Sequence, residues 1–116
     1  MTNRNINGSN ILLRVFVGET DHFNHKPLYL EVMERARKLG LAGCTVVRGI
    51  AGFGASSIIH TDKLFRFSHD LPMIIEIVDA REHIEKLLSE IEPLLAGALI
   101  TEEKINVLHY SRADKR

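Results

Sequence analysis

The chain has one cysteine, no tryptophan and three prolines in 116 residues. A lone cysteine, Cys44, excludes an intramolecular disulfide and a Cys-rich zinc site by counting alone. An excess of either charge is also missing. Fifteen Lys and Arg balance fifteen Asp and Glu, whereas nucleic-acid binders carry a basic surplus, so no nucleic-acid partner is expected. Long hydrophobic runs are absent too. Stretches such as Ile11 to Leu13 and Met73 to Ile75 fall far short of the roughly 18 residues of a membrane span, and no apolar signal segment follows the polar start. The expectation is a cytoplasmic protein with no direct membrane insertion.

What remains is the composition of an ordinary folded domain. Hydrophobic residues make up 45% and charged residues 26%, enough to build a core and too balanced for disorder. One domain is expected at this length. Residues 1–10 are polar and read as a disordered segment, 11–110 as the domain, and 111–116 as a polar tail.

Residues 11–18 alternate, with Leu13, Val15 and Val17 on one face and Leu12, Arg14 and Phe16 on the other, which predicts a strand closed by Gly18. Pro27 suits a first helical turn, and Leu28, Val32, Ala36 and Leu39 recur at helical spacing up to Gly40. Thr45 to Ile50 is β-branched and reads as a second strand. A loop follows from Ala51 to about Lys63, and Leu64 to Phe67 alternates weakly. Met73 to Val78 is a strongly apolar third strand, and Asp79 with Glu82 has the spacing of a capping box. The stripe Ile84, Leu87, Leu88, Ile91 and Leu95 forms a second helix ending near Pro93 and Gly97, and Ile105 to Tyr110 reads as the last strand.

The order β-α-β-β-α-β predicts an α+β, ferredoxin-like sandwich: a four-stranded antiparallel sheet with two helices on one face. The other face carries apolar side chains with no third layer to cover it, which suggests burial against another subunit.

Arg48-Gly49-Ile50-Ala51-Gly52-Phe53-Gly54 holds three of the eight glycines. Such a loop at a strand end lets backbone N–H groups approach an anion, and is equally readable as a tight turn. It is neither a Walker loop nor a dinucleotide fingerprint, because no helix follows the glycines. Glu76 is the only charge inside the third strand. Histidines 22, 25, 60, 69, 83 and 109 are scattered, although His22 and His25 share a loop with Asp21, and surface roles outweigh metal ligation for them.

Gly40-Leu-Ala-Gly43-Cys-Thr45-Val46, Gly52-Phe53-Gly54, Ile75-Glu76-Ile77-Val78 and Lys104-Ile-Asn-Val107 resemble successive landmarks of the PII signalling proteins. The fuller string from Arg48 to Ser57, with Gly18-Glu19 before it and Asp70-Leu71-Pro72 after it, is similar to a PII-like family of the DUF190/UPF0166 type. The resemblance implies a homotrimer with its sheets turned inward, an adenine nucleotide as effector between subunits, no required cofactor, and no catalysis. It also implies a regulated partner such as a membrane transporter, a fluoride exporter being one class. Carried across, Thr45 lies near the base, Gly52 and Gly54 bring amides to the phosphates, Lys104 supplies a cation, and Glu76 matches a strand carboxylate near the nucleotide. Gly49, Phe53 and Arg48 join the candidate set from their place in the loop. The corresponding PII loop is rich in Gly and Lys and grips a triphosphate, whereas the segment Ala96 to Glu103 has one glycine and two acids, Glu102 and Glu103, so AMP or ADP is expected over ATP. Alternatives are a metal-binding or purely structural trimer of this fold, or a small nucleotide-hydrolysing enzyme using Glu76 and Lys104. A moving signalling loop is expected at 55–63, where Ile58 and Ile59 form an apolar pair.

Overall fold

Strand β1 runs from Gly8 to Gly18 in a computed structural model that describes residues 5–54 and 70–111. Its alternation is the one expected of a half-covered strand: Ile11, Leu13, Val15 and Val17 are buried while Leu12, Arg14 and Phe16 are half-buried on the reverse side. A short hairpin follows, β2 (His22–Phe23) with β3 (Lys26–Pro27). Helix α1, Leu28–Lys38, starts straight after Pro27 and buries Leu28, Val32 and Ala36. Gly40, at φ +79°, ends it. The N–H of Leu41 reaches the carbonyl of Ala36 and that of Gly40 the carbonyl of Arg37, both at 3.0 Å, the paired bonds of a Schellman motif, whose left-handed position suits glycine.

Strand β4 (Gly43–Arg48), β5 (Pro72–Asp79), helix α2 (Arg81–Ile91), a 3-10 turn at Glu92–Leu94 and β6 (Leu99–Val107) complete the described chain. The sheet order is β4-β5-β1-β6 with every neighbour antiparallel, and each helix links two strands that are separated by a third. This is the expected α+β ferredoxin-like arrangement. The core lies between the helices and one sheet face, where Leu13, Val15, Ile75 and Ile77 meet Val32, Ile84, Leu87 and Ile91 at essentially no exposure.

Four boundaries differ from the sequence reading. β1 begins at Gly8, and Ile6 and Asn10 are buried, so the segment ending at Asn10 is not wholly disordered. The Asn10 side-chain amide donates to the carbonyls of Ile6 and Gly8, which lets a polar residue be buried. β4 spans Gly43–Arg48 and does not reach Ile50. β6 begins at Leu99 and ends at Val107. Its Thr-Glu-Glu-Lys centre reads as a loop, yet an edge strand with one hydrogen-bonded side tolerates such residues. Asp79, finally, does not cap α2: the N-cap position is Ala80, which has no side-chain cap. Residues 55–63 and 64–67, with Ile58, Ile59, His60 and His69, lie outside the described residues, as do 112–116.

The register fixes what the uncovered face carries, because directly paired residues share a face. One row across all four strands is Val47, Ile74, Phe16 and Leu99; the next is Thr45, Glu76, Arg14 and Thr101; the third is Gly43, Val78, Leu12 and Glu103. An apolar row thus lies beside a polar one. Val47 and Leu99, at the two edges, are 43% and 53% exposed.

Candidate functional site

Thr45 and Glu76 face each other across β4 and β5, so two of the residues singled out from the sequence meet on the uncovered face. Glu76 accepts a hydrogen bond from Arg14 Nε at 2.9 Å, and Arg14 Nη1 donates to Glu103 at 2.9 Å. These bonds, Glu76 first and Glu103 second, raise the Arg14 guanidinium above its ordinary value. Three neighbouring strands are thereby tied by one cation and two carboxylates. Glu76 is therefore an ion-pair partner as well as a candidate ligand residue. Arg14 escaped the sequence reading, although it is the only charge within the apolar run of β1, as Glu76 is within β5; two such charges on adjacent strands are the signal of a cross-strand pair.

The glycine loop leaves β4 at Gly49, whose N–H donates to the carbonyl of Pro72 at 2.7 Å. A Cβ on Gly49 would stand 2.7 Å from the Pro72 ring, and one on Gly52 would stand 3.2 Å from it. Close approach to Pro72 is what these glycines provide. A Cβ on Gly18 would fall onto the Asp70 carboxylate, so Gly18, Gly49 and Pro72 pack a single corner at the strand ends. A Cβ on Gly54 would meet nothing within 4 Å among the described residues, and Ile50 and Phe53 are 95% and 73% exposed. The loop therefore presents backbone and two apolar side chains outward.

Arg48 pairs with Met73 across the sheet and so projects from the helix-covered face, opposite to Thr45 and Glu76. Its guanidinium forms an ion pair with Glu19, in the loop after β1. Lys104 is farther away. It lies on β6 opposite Ile11, exposed, three strands from β4 and hence about 14 Å across the sheet. Within one chain, then, Thr45 and Glu76 form one group, Arg48, Gly49 and Gly52 a second at the strand ends, and Lys104 stands apart.

Glu102 and Glu103, read from the sequence as acids in a phosphate-gripping loop, belong to β6 and pair with Arg81 at 3.1 Å and Arg14 at 2.9 Å. The connection that precedes β6 is Leu95-Ala96-Gly97-Ala98, which has no cation. Cys44 is partly buried against the core, and burial pushes its thiol up to about 11. Asp79, fully buried, accepts from the N–H of Ala42 at 2.9 Å and of Ala80 at 2.6 Å. Among the described residues no group of three or more His, Cys, Asp or Glu side chains is placed to hold a metal ion, and no helix is long and apolar enough to cross a membrane.

The fold is similar to that of CPII from Thiomonas intermedia K12, a nitrogen regulatory PII-like protein. The apo form of CPII matches with a TM-score of 0.55 at 19% identity, covering 85% of this chain and 91% of that one. CPII bound to ADP, AMP and acetate matches with a TM-score of 0.62 at 15% identity, covering 88% and 91%. In sequence, a UPF0166 protein of Aquifex aeolicus (strain VF5) is 43% identical over 98 residues, 84% of this chain and 92% of its own length. A UPF0166 protein of Methanocaldococcus jannaschii is 35% identical over 80 residues, 69% and 73% respectively. The model of the DUF190 family, described as an uncharacterized ACR, matches residues 10–107. The chain belongs to the DUF190 family, and its fold is PII-like.

Proposed function

We propose that this protein is a homotrimeric regulator that binds an adenine nucleotide between its subunits and passes the bound state to a partner protein. The observation that carries the reading is the division of the candidate residues. Thr45, Glu76 and the glycine loop lie toward the β4 edge, and Lys104 lies on the opposite edge. A second copy that brings its β6 edge to the β4 edge of the first unites them, and an uncovered face with an apolar row gives the copies a reason to associate. CPII, which shares the fold, is seen with ADP and AMP, and that likeness supports an adenine nucleotide as the effector.

Thr45 then meets the base, with Glu76 beside it; Gly49, Gly52 and Gly54 offer backbone N–H groups to the phosphates, Phe53 covers the ligand, the neighbouring subunit's copy of Lys104 supplies positive charge, and Arg48, held by Glu19, stands beside the loop. AMP or ADP is preferred over ATP. The reason lies in Ala96-Gly97-Ala98, which gives a third phosphate no cation, and not in Glu102 and Glu103, which are already paired with arginines. The reading is of a binding protein without catalysis. A membrane transporter is the partner class that the resemblance implies.

Calorimetry with AMP, ADP and ATP tests this. Lys104→Ala should weaken ADP binding by about 1.5 to 3 kcal/mol, the worth of a charge-assisted hydrogen bond. Unchanged affinity would remove Lys104 from the site, and turnover of the nucleotide would replace the regulator with an enzyme.

A further inference from the structure

The stem of the glycine loop is held by acids. Glu19 follows β1, with its N–H donating to the carbonyl of Leu71 at 2.8 Å. Asp21 accepts from the N–H of Gly18 at 2.8 Å and Asp70 from the N–H of Thr20 at 3.2 Å, so both carboxylates are engaged in holding the turn. Glu19 instead reaches across the start of β5 to Arg48. Among the described residues of this stem there is thus one guanidinium to three carboxylates, of which Glu19 is the one paired with it. Glu19 is the more enclosed partner, its side chain 22% exposed against 59% for Arg48, so the acid is fixed and the arginine is the group that can also meet a ligand.

We propose that Glu19 is a specificity-determining residue that, through its ion pair with Arg48, limits how many phosphates the glycine loop accepts. The inference rests on the nucleotide reading above. With Glu19 on Arg48, the only cation among the described residues of the stem is neutralised, and each additional phosphate brings negative charge toward the acidic described part of the stem. AMP is penalised least and ATP most. Replacing Glu19 by an uncharged isostere releases the positive charge of Arg48, and the gain grows with ligand charge. For two added charges several ångströms away in a largely aqueous setting, the differential gain is about tenfold.

The test measures AMP, ADP and ATP affinities by calorimetry, without divalent metal, on the intact oligomer of wild type, Glu19→Gln, Glu19→Asp, Arg48→Gln and the Glu19→Gln/Arg48→Gln pair. Glu19→Gln should tighten ATP about tenfold more than AMP, Glu19→Asp should keep the wild-type ratio, and the double variant, which loses one charge of each sign, should return to the wild-type ratio. A Glu19→Gln effect equal for all three nucleotides, or a double variant that keeps the ratio of Glu19→Gln, would overturn the proposal while leaving the nucleotide reading intact. A wild-type protein that binds none of them would overturn both. Should Glu19→Gln fail to fold, Arg48→Gln decides alone: it leaves Glu19 unpaired and should weaken ATP about tenfold more than AMP, and an equal loss for all three nucleotides would refute the proposal.

Discussion

Asp79 is a fully buried carboxylate that accepts backbone N–H groups from Ala42, just before β4, and from Ala80, at the start of α2. Removing it strands buried donors, and hydrogen bonds to a charged acceptor contribute about 1.5 to 3 kcal/mol each. Asp79→Ala should therefore destabilise the fold by about 3 kcal/mol or more in denaturant unfolding, with Asp79→Asn less damaging because its amide oxygen still accepts. A loss under about 1 kcal/mol for the alanine variant would show that water satisfies these groups. The sequence offered Asp79 as a helix cap because capping and strand-tying use the same residue type at nearly the same position; only the pairing of β4 with β5 reveals the second role.

Cys44 makes a pH-dependent case. Its thiol, raised from 9.0 to about 11 by burial, carries roughly a hundredth of the thiolate of an ordinary cysteine near pH 8, so alkylation of the native protein should be about a hundredfold slower than that of the unfolded chain. The sign for stability follows. The unfolded thiol loses its proton first as pH rises, so the native state loses stability between about pH 9 and 11, and Cys44→Ala should flatten that part of the profile. Gly49 is a steric case: a Cβ 2.7 Å from the Pro72 ring forces a shift, and Gly49→Ala should cost about 1 to 3 kcal/mol. Equal thermal midpoints for variant and wild type would mean that the loop yields freely.

Among the elements, the β2–β3 hairpin holds a local strain. Asn24 and His25 both have positive φ, 50° and 66°, the backbone of a two-residue turn in which Asn-Gly is the favoured pair. His25→Gly should raise stability by up to about 1 kcal/mol, read as a shifted unfolding midpoint; a decrease would show that the imidazole makes a contact worth more than the strain. Four long segments were legible, β1 and β5 from alternation and apolar density, α1 and α2 from their stripes. β6 was legible only at its end, from Ile105 to Val107, because Thr101 to Lys104 is hydrophilic on both faces, as an edge strand permits. The glycine string was legible as a loop, but its closeness to Pro72 depends on the register of β4 and β5, and the pairing of Glu19 with Arg48 spans a strand that lies between them in the sheet.

At the scale of the whole molecule, the sheet has helices on one side and, on the other, an apolar row from Val47 to Leu99 beside the Arg14–Glu76–Glu103 cluster. The apolar pattern of this face was visible in the sequence, whereas the ion cluster at its centre was not, since it needs three strands brought together. In the proposed trimer, one act of assembly both covers this face and closes the gap between Thr45 and Lys104. Native mass spectrometry during an ADP titration reads assembly and ligand together. A trimer that takes up as many as three ADP molecules is the expected result; a monomer, or a trimer that retains no ADP at concentrations where CPII-like proteins are loaded, would mean that this fold serves some other purpose here.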